Sequence, residues 1–162
     1  MLWVKTFFGI LFQTILLGIF LYLPALTLNW SDAFLLLTIH FLMTILASAY
    51  LLIVKPESIE ARMNYDSKTQ PKEDRLATTL MFSAIIVGLS LAPIDIFHLN
   101  LSSSFEGSIK NIGLAIYIIG MLLFMASINA NEFAETTVNI QEERGQKVID
   151  TGIYSIVRHP MY

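Results

Sequence analysis

A chain of 162 residues with 55% hydrophobic and only 14% charged side chains, and a mean hydropathy of +0.64, has the composition of a membrane protein rather than a soluble domain. The absence of cysteine excludes a disulfide framework, a thiolate nucleophile and a cysteine zinc site. The net charge of −3 is small, and no basic patch lies outside the segments flanking apolar runs, which excludes nucleic acid as a partner.

A hydrocarbon core about 30 Å thick needs roughly 20 apolar residues in helical conformation. Four runs reach that length, 6–25, 33–54, 76–94 and 112–130, and none contains Lys, Arg, Asp or Glu. A charge at the bilayer centre costs about 2.5–3.5 kcal/mol on insertion scales, so charge-free runs bounded by charges predict spanning helices. The first run begins near Lys5, as a signal peptide would, but it is too long and a second span follows almost at once. It reads as a retained helix, joined by the short connection 27–32 to its neighbour in an antiparallel hairpin.

The second connection, 55–75, is long and charged; from Glu57 to Arg75 it mixes signs and reads as a solvated amphipathic segment, with substrate gating as the alternative. The third, 95–111, carries Ser102-Ser103-Ser104 and little charge. With a cytoplasmic N-terminus, Lys5, Lys55, Arg62, Lys68, Lys72, Arg75, Arg144, Lys147 and Arg158 share one side and only Lys110 takes the other. This asymmetry predicts a multi-pass protein of a cytoplasmic membrane, with residues 131–162 on the cytoplasmic side. The fold class expected is an all-α integral membrane protein. Its two regions are a transmembrane bundle over 1–130 and a cytoplasmic cofactor-binding segment over 131–162 that leads into a fifth helix.

The last segment holds the most specific pattern. Asn131-Glu132-Phe133 is followed by Val138-Asn139-Ile140-Gln141-Glu142-Glu143-Arg144-Gly145-Gln146-Lys147-Val148-Ile149, then Gly152-Ile153-Tyr154, then Arg158-His159-Pro160-Met161-Tyr162. Gly145 and Gly152 stand where turns fit, since glycine reaches positive φ at little cost. Pro160 suits the first position of a new helix and pushes His159 to an extended conformation, which predicts His159 as a helix cap. A helix N-terminus offers free N–H groups to an anion such as a cofactor carboxylate. Arg158 would add a charge-assisted hydrogen bond, and Tyr154 and Tyr162 aromatic faces for a sulfonium or an adenine. Singly, the same residues also read as interfacial anchors and members of an aromatic belt.

Taken together, the segment resembles the isoprenylcysteine carboxyl methyltransferase family, including bacterial members of unassigned substrate. The resemblance is carried by Asn-x-Phe, Val-x-Ile-Gln-x-x-Arg-Gly-Gln-x-Val, Gly-x-Tyr and Arg-His-Pro-x-Tyr, the last of which phospholipid methyltransferases share. Pro56, Arg62 and Asp74 match more weakly, and the first three helices match only in hydropathy. The resemblance implies an S-adenosylmethionine (S-adenosyl-L-methionine) pocket lined by Gln141, Gln146, Lys147, Val148, Ile149, Tyr154, His159, Pro160, Met161 and Tyr162, with Arg158 beside them. Ile153 stands where many bacterial relatives have proline. Family members continue past the point of Tyr162 with a glycine, a helical hairpin and a C-terminal Arg and Glu element, so a chain truncated at its C-terminus is expected.

Smaller constellations stay open between two readings. Asn129, Glu132, Thr136 and Asn139 share a helical face, either at a cavity mouth or in solvent. His40, in mid-span, reads as a functional group or, as a neutral imidazole, as a hydrogen bond to another helix. Asp95, after Pro93, closes the third helix on the far side. Ala126 and Ala130 form a weak small-xxx-small pair, which leaves the oligomeric state open. No G-x-G-x-x-G, H-E-x-x-H, P-loop or serine elbow occurs, so neither a Rossmann site nor a metal is expected.

The activity expected is methyl transfer to a lipophilic or small acceptor at the membrane, a reaction governed by alignment and needing no catalytic base. The alternatives are a sterol-type membrane reductase using NADPH and a non-catalytic truncated membrane fragment.

Overall fold

The computed structural model describes residues 1–63, 72–101, 107–133, 145–158 and 160. They form helices α1 (Leu2–Ala25), α2 (Ser31–Val54), α3 (Pro56–Met63), α4 (Lys72–Ile94) and α5 (Ser108–Ala130), with no strand among them. A π-helical turn, Asp95–Leu99, extends α4, and a single 3-10 turn, Gly152–Ser155, lies in the last segment. Four of the helices are long and apolar enough to cross a membrane, which makes this a multi-pass membrane protein by length and composition. No more than 17% of the most apolar window of any of the four is buried inside the bundle. Large side chains such as Phe12, Leu46, Leu80 and Ile116 face outward, an arrangement suited to lipid and not to water.

Each long helix starts two to four residues before the charge-free run that predicts it. Lys5, Asp32, Asp74, Arg75 and Lys110 ride inside helical ends, where long side chains reach the interface without breaking the helix. Helix α3 forms the start of the segment expected to be amphipathic, with one face buried and its carboxylates exposed. Pro56 occupies its first position, Glu57 its first turn and Arg62 its last, all favourable, and Ser58 and Ile59 are buried against the bundle. Residues 64–71 lie outside the described residues.

The helices form a row in the order α4, α1, α2, α5. α1 packs on both α2 and α4, α5 packs on α2, and α4 and α5 do not approach each other among the described residues. On α1 the buried positions Thr6, Ile10, Leu21 and Ala25 keep to one helical stripe, and a Cβ placed on Gly18 would stand 3.4 Å from Leu37 Cδ1 of α2.

One end of the row is closed by aromatic and polar contacts. Tyr22 Oη donates to the Trp30 carbonyl at 3.1 Å, Trp30 stacks edge-on against Phe97, and His98 Nε2 donates to the Pro24 carbonyl at 2.7 Å. Leu26 takes a left-handed conformation to end α1. Asp95 caps its own turn, its carbonyl accepting from Asn100 N and its carboxylate from Leu101 N, each at 2.8 Å. Lys110 pairs with Asp32 at this end, while Lys5, Lys55, Arg62, Arg75 and Lys147 belong to the other.

The close approach at Gly18 is testable against Gly88, whose added Cβ meets nothing within 4 Å. Gly18→Leu is expected to cost about 1–3 kcal/mol by overpacking, and Gly88→Leu to be neutral or slightly stabilising. Thermal unfolding in detergent followed by circular dichroism distinguishes the two.

Candidate functional site

The basic end gathers the ends of α2 and α5. The last turn of a helix leaves carbonyls without intrahelical donors. On α5 the last intrahelical bond runs from Asn131 N to Ser127 O at 3.0 Å, and the Asn129 carbonyl beyond it accepts from Lys55 Nζ at 2.5 Å. The cation sits at the negative end of the helix dipole, a favourable placement. Lys55 thus ties the end of α2 to the end of α5.

Asn131 stops α5 in extended conformation and then acts twice. Its Oδ1 accepts from Phe133 N at 3.0 Å, an Asx turn that brings Phe133 into a buried position, and its Nδ2 donates to Tyr154 Oη at 3.3 Å. Two motif fragments far apart in sequence, Asn-x-Phe and Gly-x-Tyr, are therefore joined. Gly152, at φ +61, is the nearest approach of the segment to the helix, and a Cβ there would lie 3.3 Å from Ala130 Cβ. Both its conformation and the lack of space call for glycine.

Between the helix end and the returning segment lies a cavity of about 340 Å3. Its outer wall is Lys147, Val148, Ile149, Asp150 and Thr151, and its inner wall is Lys55, Ala130 and Glu132. Two cations, two carboxylates and three apolar side chains share one space at the small end of the range for ligand sites.

Of the residues predicted to line a cofactor pocket, the structure brings Lys147, Val148 and Ile149 onto this cavity. Gln146 is exposed beside them, and Tyr154 stands half-buried behind the wall, held by Asn131. Arg158 is exposed and Pro160 half-buried, both away from the walls. Gln141, His159, Met161 and Tyr162 lie outside the described residues, as do Thr136, Asn139 and the expected fifth helix. Gly145 and Gly152 both adopt positive φ, as turns require.

Lys55 and Asp150 were not among the predicted site residues. Lys55 stands at the foot of an apolar run before Pro56, where its charge reads only as a membrane flank. Among the described residues no cluster of three or more His, Asp or Glu is placed to hold a metal ion.

The second polar locus is inside the bundle. His40 Nδ1 and Tyr117 Oη are 2.7 Å apart and share a hydrogen bond between α2 and α5. This agrees with the reading of His40 as a bond to another helix.

Gly152→Ala is expected to loosen the returning segment more than Gly145→Ala, since Gly145 has the same sign of φ but open space around its Cβ position. Each loses about 1–2 kcal/mol to the left-handed conformation, and only the former also clashes with Ala130. Amide hydrogen exchange over 146–157 measures the difference. Searches of protein-family models, curated proteins and solved structures find no match to this chain.

Proposed function

We propose that this chain carries the S-adenosylmethionine site of a membrane methyltransferase resembling the isoprenylcysteine carboxyl methyltransferases, acting on a lipophilic or small acceptor. The observation that supports it most is the cavity at the basic end, where the motif-bearing stretch Lys147–Ile149 faces the joined ends of α2 and α5.

The residues fit the group. S-adenosylmethionine carries a carboxylate, an amine, a sulfonium and an adenine. Lys147 suits the carboxylate, as does Lys55, which has N–H groups to spare beyond its bond to Asn129. Glu132 and Asp150 suit the cationic amine and sulfonium, and Val148 and Ile149 supply an apolar face for the ring. When bound, the cofactor supplies a methyl group on a sulfonium, an electrophile that needs only an aligned nucleophile. The chain's part is to fix that alignment through charges of both signs on opposite walls. A carboxylate acceptor is already ionised at neutral pH, so no side chain has to remove a proton.

The same reading puts the basic end in the cytosol of a bacterial cell, where the cofactor is made, following the nine-to-one sorting of Lys and Arg. The absence of cysteine makes this directly measurable. In intact cells a membrane-impermeant maleimide is expected to label Asn29→Cys and to leave Lys147→Cys unlabelled until the cells are opened; the reverse pattern overturns the orientation.

Binding is tested on the purified chain by thermal stabilisation with S-adenosylhomocysteine, with NADPH as the comparison. S-adenosylhomocysteine is expected to stabilise and NADPH not. Lys147→Ala should weaken the binding about tenfold through loss of a charge-assisted hydrogen bond, and Lys5→Ala, on α1 and away from the cavity walls, should leave it unchanged. Stabilisation by NADPH alone, or by neither, contradicts the proposal.

A further inference from the structure

The two walls of the basic-end cavity are held in different ways. The inner wall belongs to helix ends. The outer wall, 147–151, leads into a turn that is bonded to itself and to the bundle. Thr151 O accepts from Tyr154 N at 3.2 Å, Gly152 O from Ser155 Oγ at 2.7 Å, and Ile153 O from Val157 N at 3.0 Å. Asn131 Nδ2 fastens this turn to the end of α5 through Tyr154 Oη, and Gly152 rests against Ala130. Residues 147–150 share none of this. Among the described residues neither their backbone nor their side chains make a hydrogen bond or an ion pair, and Val148 is 91% exposed.

Glycines stand on both sides of this stretch. Gly145, at φ +63, has open space around it, and Gly152, at φ +61, is pinned on α5. A stretch without hydrogen bonds and with only Ile149 half-buried opens at little cost. Charge is what could hold it down. The stretch carries Lys147 and Asp150, and the helix feet carry Lys55 and Glu132, so each wall brings one cation and one carboxylate to the same space. Neither Lys147 nor Asp150 is paired across it among the described residues. A ligand with a single charge meets one matching side chain on each wall. A ligand with both charges bridges the walls twice, its carboxylate between the two lysines and its ammonium between the two carboxylates.

We propose that residues 147–150 are a strap that closes over the cavity only on a zwitterionic ligand, the amino-acid end of the cofactor, with Lys147 and Asp150 as the side chains that select its two charges. The inference rests on the methyl-transfer reading of the site. It adds that the outer wall is completed by the ligand itself, and that a nucleoside lacking the amino-acid part leaves the strap open. It also assigns a role to Asp150, whose carboxylate holds the strap to the ligand's ammonium.

The test is nitrogen-15 relaxation of the full chain in detergent micelles, alone, with S-adenosylhomocysteine, and with 5′-methylthioadenosine, which keeps the nucleoside and lacks both charges. Thermal stabilisation reports binding in parallel. Backbone order parameters of 147–150 are expected below about 0.6 in the free chain and near about 0.85 with S-adenosylhomocysteine, with 5′-methylthioadenosine leaving them low. Asp150→Asn should weaken S-adenosylhomocysteine about tenfold and leave the strap mobile at saturation. Order parameters near 0.85 in the free chain, or an equal rise with the uncharged nucleoside, overturn the strap. S-adenosylhomocysteine that stabilises the chain without ordering 147–150 overturns the strap and leaves the methyl-transfer reading standing. No stabilisation by S-adenosylhomocysteine overturns both.

Discussion

The architecture depends on how α5 is held. α1 lies between two neighbours, but among the described residues α5 packs on only one of the other long helices, α2. In lipid, apolar surface gives no hydrophobic drive for two helices to associate, so packing and interhelical polar bonds must supply it. The seam is also interrupted by an apolar cleft lined by Met43 and Ala47 of α2 and Leu122 and Met125 of α5. Beside the buried cluster of Leu51, Leu52, Ile59 and Ile128 at the basic end stand three polar ties, Asp32 with Lys110, His40 with Tyr117 and Lys55 with the Asn129 carbonyl, of which those inside a bilayer contribute on average about 0.6 kcal/mol each. The half-exposed pair of Asp32 and Lys110 adds about 0–1 kcal/mol.

That modest sum positions the candidate site. Lys55 belongs to the foot of α2, and Ala130 and Glu132 to the foot of α5, and they enclose one cavity only while the two feet stay together. The returning segment then rests on α5 through Gly152 and Asn131.

Much of this is legible in the sequence, for identifiable reasons. The spans follow from the cost of charge in hydrocarbon, which leaves long charge-free runs that need no tertiary information. Their ends are misplaced by a few residues because Lys5, Arg75 and Lys110 continue the helix while reaching for water. α3 escapes notice because eight residues of mixed charge carry a weak signal, although Pro56, Glu57 and Arg62 mark its ends. Which helices adjoin is not encoded in hydropathy at all, so Tyr117 as partner of His40 and Asn129 as partner of Lys55 had to come from the structure. Gly152 is half legible: its turn is readable from glycine alone, but its contact with Ala130 is not. The spacing of the tail's glycines and tyrosine is readable as a pattern, whereas Asp150 reaches the cavity only because the segment folds back.

The central claim is that the α2–α5 ties hold the cavity together. Hydrogen–deuterium exchange over 146–157 tests it most directly, in the unaltered chain and in a variant lacking all three ties, Asp32→Asn, Tyr117→Phe and Lys55→Met. The account predicts exchange at least about tenfold faster in this segment of the variant, with amides of α4, which packs on α1, unchanged. Equal protection of 146–157 in the two proteins would contradict it.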